Sequence, residues 1–443
     1  MEAVGELPGL PLLGNIVQFR RDRLGTQLRA ALSADITRFR ILWKTVWCVG
    51  SWELAQQVLV EEEEAFEKGP ALTEVAQPLL GRGLLSAERA YHKRQRRLMA
   101  PAFTPRRIAG YGQIMAARAV AGADRLRPHT MIDIAEAMNV LTLDIVGRTL
   151  FDTDIARDAR EIADALTLAM EHMIKATLVP IPTWLPLPRH RRVEAAIAAL
   201  DDTVLRIIAT RRAARAGGAD DRGDVLSILL DARDDDGSGM SDRDLRDEIM
   251  TLMLAGHETT ANLLAWTWYQ LALQPEVRAR LEVELDEVLG GRPPSYDDLP
   301  RLPYTAQILD ETLRLFPPAY VVGRLATRPV RLGGAQVAPG DIVIVSIRGM
   351  HRRPDYWPEP EAFRPERFTE AAKKARGKVG YLPFGAGPRV CIGNHFALVE
   401  AQLILATWAQ RFRFRLAQAP VIEPEPLVTL RPRGGVFVEV EPR

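Results

Sequence analysis

At 443 residues, with 47% hydrophobic and 26% charged side chains, the chain has an ordinary globular balance and can bury a large core around a flat organic cofactor. Its 58 basic and 57 acidic residues leave a net charge of +1, so no global charge points to nucleic acid or to a membrane surface. Two cysteines, Cys48 and Cys391, exclude a disulfide-rich secreted scaffold and a cysteine-rich zinc site; reduced thiols in the cytoplasm are expected.

The N-terminus lacks the basic, apolar and small-residue regions of a signal peptide, and nowhere do 18 apolar residues run together, so no membrane anchor is expected. Ile36 to Val49 is rich in aromatic and β-branched residues and reads as a hairpin. Ser51 then serves as N-cap of a helix through Val60. Helical spacing follows in Ile162, Leu166, Ala169 and Met173, and again in Ala196, Leu200, Val204, Ile207 and Ile208. Breaks fall at the proline-rich Leu178 to Pro188 and at the polar Ala216 to Asp224 and Arg233 to Gly239. Ser241 with Asp244 resembles a capping box opening a long helix that stops before Pro275. Helices are expected over Glu276 to Leu289 and Tyr304 to Phe316, strands over Val330 to Val337 and Ile342 to Ile347, and a last helix over Asn394 to Arg411. Val428 to Val440 reads as a hairpin around Gly434-Gly435. The fold class is mainly α with a minor β portion. No composition shift isolates a second domain, so 1–443 is taken as one domain although the length alone predicts two to four.

The most informative segment is Phe384-Gly385-Ala386-Gly387-Pro388-Arg389-Val390-Cys391-Ile392-Gly393, followed by a helix. A thiolate needs stabilisation, and backbone N–H groups at a helix N-terminus supply it. Glycines let backbone approach a flat ring, Phe384 can shield the sulfur, and Arg389 can pair with a cofactor carboxylate. Upstream, Ala255-Gly256-His257-Glu258-Thr259-Thr260 puts a glycine, an acid and hydroxyls in mid-helix, where propensity and packing disfavour them. Thr259 can bond back to the Ala255 carbonyl and open the helix into a groove fit for dioxygen. Glu311 and Arg314 share a helix face, which alone reads as a surface ion pair. Tyr91 to Arg97 is a basic run, in isolation a solvated face. Cys48 reads as a strand core residue, and His257 as a packed or partly exposed histidine.

The cysteine segment resembles the heme-binding signature of the cytochrome P-450 family, with Phe384, Gly387, Arg389, Cys391 and Gly393 at its marked positions. The resemblance covers nearly the whole chain and implies a P-450 fold, with heme b buried between the long central helix and the cysteine-loop helix. It makes Cys391 the iron ligand, Glu258 and Thr259 the catalytic acid–alcohol pair, and Ala255 and Gly256 part of the heme-facing groove. His92 and Arg96, with Arg324, become propionate ligands; many members carry tryptophan where this chain has His92. Glu311, Arg314 and Arg367 become a buried charge network behind the heme, and His351 lies near it without binding iron.

The implied reaction puts one atom of dioxygen into a lipophilic molecule (fatty acid, terpenoid, steroid or polyketide). The implied lining comes from Pro70 to Leu85, Met170 to Trp184, Leu252 to Thr259, Ala319 to Val322 and Arg431 to Val436, with Arg82, His172 or Lys175 as possible carboxylate anchors. The tail after Cys391 is too short for a reductase, and no dinucleotide fingerprint occurs, so a ferredoxin or flavodoxin with its NAD(P)H reductase is the expected partner of a monomer. Lys373, Lys374, Arg376 and Lys378 are candidate docking cations, or a solvated loop. Rival readings are a peroxygenase or isomerase on the same fold, a heme sensor or electron carrier without turnover, and a cysteine hydrolase using His395. The first two lack a use for the Glu258–Thr259 pair, and nothing near His395 marks an oxyanion site.

Overall fold

The computed structural model describes residues 4–153, 159–178, 187–217, 223–234, 237–417 and 421–443. The chain divides into two compact units, Met1–Pro70 with Asp310–Cys391, and Ala71–Leu309 with Ile392–Arg443.

The first unit is built on a six-stranded sheet in the order Val4–Glu6, Ile36–Ile41, Lys44–Val49, Ile342–Val345, Val322–Ala326, Phe66–Glu67. The expected hairpin is present, with Ile36 opposite Val49 and Ile41 opposite Lys44. Its second strand runs parallel to Ile342–Val345, pairing Val46 with Ile342 and Val49 with Val345. Side chains alternate across the sheet. Trp47 and Val49 join Leu54, Val58, Val343 and Val345 on one face, while Val46 and Cys48 join Phe39, Ala30 and Ala31 on the other. Cys48 is therefore a core residue of a central strand, as read from its context. Ser51 caps as expected, its hydroxyl accepting the Leu54 N–H at 3.4 Å. The helix Trp52–Gln56 then widens into a π turn over Gln57–Glu61.

The second unit is helical: α1 (Arg89–Met99), α2 (Pro105–Ala123), α3 (Ile134–Leu150), α4 (Ala159–Leu178), α5 (Pro188–Ala216), α6 (Asp242–Leu273), α7 (Pro275–Leu289) and α8 (Asn394–Ala409). The capping box at the start of α6 is real: the Ser241 hydroxyl accepts the Asp244 N–H and the Asp244 carboxylate accepts the Ser241 N–H, both at 3.1 Å. From Leu245 to Leu271 most α6 side chains are buried, on several faces of the helix, because α3, α5 and α8 pack around it. Pro275 occupies the first position of α7, where a missing N–H costs nothing. The helix expected over Tyr304 to Phe316 spans Pro303–Leu315.

The C-terminal hairpin expectation fails. Leu430–Pro432 pairs with Pro424–Pro426, whereas Phe437–Pro442 pairs with Phe412–Leu416 and with Met131–Asp133. Gly434 and Gly435 do turn at positive φ, but the turn hands the chain to a different sheet, where the Asp133 carboxylate takes the Val436 N–H at 2.9 Å. The expected strand from Val330 to Val337 is itself a tight hairpin, Val330–Leu332 with Ala335–Val337. The last helix ends at Ala409, two residues short of expectation. Most of the predicted Leu178 to Pro188 break, residues 218–222 of the second and residues 235–236 of the third lie outside the described residues. The architecture is mainly α with a minor β portion, as read. Among the described residues no helix is long and apolar enough to cross a membrane.

Candidate active site

In the first unit Cys391 is exposed and in no disulfide, at the end of a loop folded on itself. The Cys391 N–H donates to the Phe384 carbonyl at 3.0 Å and the Val390 N–H to that of Gly387 at 3.1 Å. Gly387 has φ +70°, and a Cβ there would stand 2.1 Å from the Leu59 carbonyl oxygen, so no side chain fits. The loop is thus held against the π turn at Gln57–Glu61. Arg389 meets Glu63 at 3.2 Å, a partner its sequence context did not announce.

Behind the loop lies a buried charge network. Arg314 grips Glu311 with two hydrogen bonds of 2.7 and 2.8 Å, both side chains fully buried. Arg314 also donates to the carbonyls of His351, Pro360 and Ala362 at 2.7–3.0 Å, and Glu311 accepts the Arg364 N–H at 2.8 Å, with Arg367 at 3.4 Å. The buried network that the resemblance implied for Glu311, Arg314 and Arg367 is present, and not the surface pair that the spacing alone suggests. His351 ties this network to the cysteine loop. Burial, with Arg314 beside it, pushes its imidazole down to about 3, so it is neutral. Its Nδ1 faces the Arg314 carbonyl at 3.1 Å, and its Nε2 accepts the Leu382 N–H at 3.0 Å. Sequence reasoning kept His351 off the iron but missed this bridge, because no local spacing encodes it. Replacing Arg314 with alanine strands the buried Glu311 carboxylate and three carbonyls. The expected loss is about 3–5 kcal/mol of stability, read as a lower denaturant midpoint; an unchanged midpoint would contradict the network.

In the second unit the expected back-bond is present, though α6 stays continuously α-helical there: the Thr259 hydroxyl donates to the Ala255 carbonyl at 2.7 Å and that of Thr260 to Gly256 at 3.3 Å. Gly256 lies close to α3, with Val146 Cγ2 3.1 Å from where its Cβ would be. Glu258 is buried, and burial pushes its carboxyl up to about 7 against the opposing pull of the Thr429 hydrogen bond and the Arg431 charge. Its Oε2 has no hydrogen-bond partner among the described residues. Asn262 donates to the Thr429 hydroxyl at 3.0 Å, and Trp266 to the Leu430 carbonyl at 3.1 Å. Spaced four apart, Glu258, Asn262 and Trp266 form one helix face pinned to the Pro424–Pro432 hairpin. Arg431 in turn bridges Glu171 of α4 at 2.9 Å and Glu425 at 2.8 Å. Thr429 is a partner that the sequence did not single out.

His257 is a packing residue: its Nδ1 meets the Met253 carbonyl at 2.6 Å, its own carbonyl accepts from Thr142 at 3.1 Å, and burial holds the ring near 4, hence neutral. On α1, Arg94 and Arg97 pair with Asp234, while His92 turns inward and is buried, with Arg96 half-buried one turn on. Only part of the basic run is therefore a solvated face. In the first unit Arg324 is buried on Val322–Ala326. Arg82 stacks over the Tyr91 ring at 4.1 Å, and His172 meets His190 edge-on at 5.3 Å. The Lys175 side chain and residues 179–184 of the expected lining lie outside the described residues. Lys374 and Lys378 are exposed, but Lys373 pairs with Asp310 at 3.0 Å and Arg376 lies over the Trp357 ring at 4.5 Å. His395 faces the Tyr296 hydroxyl at 3.3 Å.

The donor set fits an iron porphyrin: an exposed thiol on a glycine-bearing loop for the metal, and buried or half-buried basic side chains for carboxylates. Among the described residues, no cluster of three His, Cys, Asp or Glu is placed to hold a bare metal ion.

Residues 5–438 match the family model for cytochrome P-450. Cyclooctatin synthase of Streptomyces melanosporofaciens is 40% identical over 441 residues, 98% of this chain and 95% of the relative. Cyclooctat-9-en-7-ol 5-monooxygenase of the same organism is 37% identical, over 93% of this chain and 89% of the relative. Pentalenene oxygenase of Streptomyces avermitilis is 32% identical, over 96% and 94%. A match of this length, added to the cysteine loop, means that the chain belongs to the cytochrome P-450 family and is a heme-iron monooxygenase.

Proposed function

We propose that this protein oxygenates a cyclic terpenoid, by hydroxylation or epoxidation, using heme b, whose iron Cys391 would hold through its thiolate. The observation that carries the chemistry is the Thr259 hydroxyl held on the Ala255 carbonyl at 2.7 Å, next in sequence to the buried acid Glu258. The relatives' names carry the substrate class, since cyclooctatin and pentalenene are terpenoids. When bound, the heme activates dioxygen, one atom entering a C–H or C=C bond and the other leaving as water with two protons and two electrons.

His92, Arg96, Arg324 and Arg389 would hold the propionates through charge-assisted hydrogen bonds. Phe384 shields the sulfur, Gly393 starts the helix whose N–H groups favour the thiolate, and Ala255 and Gly256 leave room on α6. Glu258, with a carboxyl near 7, can both take and give a proton at working pH, and Thr259 passes it on. Electrons come from a ferredoxin or flavodoxin with its NAD(P)H reductase, for which exposed Lys374 and Lys378 offer charge. The whole of 1–443 acts as one functional domain, a cytoplasmic monomer. The acid–alcohol pair disfavours the peroxygenase and isomerase readings.

The test supplies heme-loaded protein with cyclic diterpene hydrocarbons or their monohydroxylated derivatives, NADPH, reductase, ferredoxin and isotope-labelled dioxygen. A product carrying one labelled oxygen per NADPH consumed is expected. Unlabelled product, or product that forms only when peroxide is added, overturns the reading.

A further inference from the structure

We propose that Asp247 and Glu248 are positioning residues for the oxygenation: they fix the backbone of residues 81–84 as an end wall beside Ala255 and Thr259, and that wall decides which carbon of the substrate is oxidised. This rests on the proposed oxygenation only in taking residues 255–259 as the place of reaction.

Both acids lie in the second turn of α6 and both are buried, Asp247 at 4% exposure and Glu248 at 0%. Burying a carboxylate is costly, and what such groups return is fixed geometry. Here each takes a backbone N–H from the same irregular segment of the second unit. The Arg82 N–H donates to Asp247 Oδ2 at 2.7 Å, and the Leu84 N–H to Glu248 Oε2 at 2.9 Å. Hydrogen bonds to a charged acceptor are about twice as strong as neutral ones.

The segment is shaped to this grip. Gly81 has φ +52°, and a Cβ there would stand 2.0 Å from Asp247 Oδ1. A Cβ on Gly83 would stand 2.1 Å from Thr251 Oγ1. The Ser86 hydroxyl closes the turn on the Gly81 carbonyl at 2.9 Å. Arg246 holds the preceding helix, Gln77–Leu80, by its Leu79 carbonyl at 2.8 Å, and ties it to Asp247 at 3.0 Å and to Asp201 of α5 at 2.7 Å. On the other side, the Tyr91 ring under Arg82 donates its hydroxyl to Asp244 at 2.7 Å.

The place of the grip gives it a function. Asp247, Thr251, Ala255 and Thr259 are spaced four apart, so they run along one side of α6. The segment covers the first two of these and stops. Ala255 is exposed and Thr259 half-buried. Four residues of helix rise about 6 Å, so Gly83 on Thr251 ends about one turn short of Ala255. A molecule lying over Ala255 and Thr259 therefore abuts the 83–84 backbone. A loop free to move there would let that molecule slide along α6; a pinned one holds it in one register, as positioning groups must.

Hydrogen exchange is followed on heme-loaded Asp247→Ala, Glu248→Ala, Asp247→Asn and Glu248→Gln. The alanine variants should speed exchange of the Arg82 and Leu84 amides by at least about tenfold, the order for losing a hydrogen bond to a charged group. Asparagine and glutamine keep an acceptor oxygen and should restore most of the protection. With a cyclic diterpene, the alanine variants should spread oxygen over more carbons than wild type and raise KM more than they lower kcat. Thr259→Val, by contrast, should not move the site of oxidation. Gly83→Ala pushes the segment off Thr251 with both acids in place, and should reproduce the spread even where an alanine variant fails to fold. Binding of 4-phenylimidazole, read by the Soret shift against imidazole, separates this from the substrate reading. The alanine variants and Gly83→Ala should weaken the first by at least about fivefold, about 1 kcal/mol, and leave the second unchanged. That effect without turnover of any diterpene would remove the substrate class and still support the wall. Wild-type exchange in folded alanine variants would overturn the proposal. So would fast exchange, or a folded Gly83→Ala, with the wild-type product pattern and wild-type phenylimidazole binding.

Discussion

Replacing Cys391 with serine is expected to abolish the strongly red-shifted Soret band of the reduced, carbon-monoxide-bound protein. Monooxygenation should fall by at least about three orders of magnitude, about 4 kcal/mol of barrier. With heme bound, a Cys391 thiolate would supply the electron density characteristic of a heme-thiolate site; a serine hydroxyl, which stays protonated, would not. The chain contains its own control. Cys48 is buried in the sheet core, where desolvation pushes its thiol up to about 12, so it cannot supply a thiolate at working pH. Cys48→Ala should therefore leave the band in place. A globin-like band in folded, heme-loaded wild type would mean a neutral proximal ligand, and so would a red-shifted band that survives in Cys391→Ser rule out this residue.

The parts of this molecule legible in the sequence are those whose chemistry must be contiguous. The glycines, aromatic and arginine that a thiol would need to hold a flat ring stand together from Phe384 to Gly393. The same holds for the Ser241–Asp244 cap and for the Thr259 bond to Ala255, both fixed by a single helical turn. What stayed hidden depends on distant partners. Phe66–Glu67 is too short to announce a strand, and becomes one only through its pairing with Val322–Ala326. Gly434-Gly435 gave a sound local turn and a wrong hairpin, since strand partners are chosen by tertiary packing. His351, reaching both Arg314 and Leu382, and Thr429, beside Glu258, act across the fold in ways no spacing records. Arg389 shows the reverse: its position in the motif was plain, its bond to Glu63 was not.

Two substitutions on α6 should separate proton delivery from heme binding. Thr259→Val removes the hydroxyl but keeps the shape, so the carbon-monoxide spectrum should be intact while product formed per NADPH consumed falls, the balance appearing as hydrogen peroxide. Glu258→Gln should slow turnover by about 10²–10⁴-fold, the range for loss of a positioned proton-transfer group. The pH dependence follows from burial. The Glu258 carboxyl is raised from an ordinary 4.5 to about 7, so it is a proton donor below that value and an anion above it. Wild-type turnover should therefore decline as pH rises through about 7, and that inflection should vanish in Glu258→Gln. Stability carries the same sign. A carboxyl with a raised folded-state value contributes stability that is full below 4.5 and lost as pH climbs through about 7, because the folded protein then holds a buried charge. Glu258→Gln should thus gain stability over wild type on the alkaline side, by denaturant midpoint. Thr429→Val, which removes a hydrogen bond that favours the anion, should move the inflection upward. Full coupling in Thr259→Val would take the hydroxyl out of the reaction. An unchanged pH profile in Glu258→Gln would mean that the protons arrive by another path.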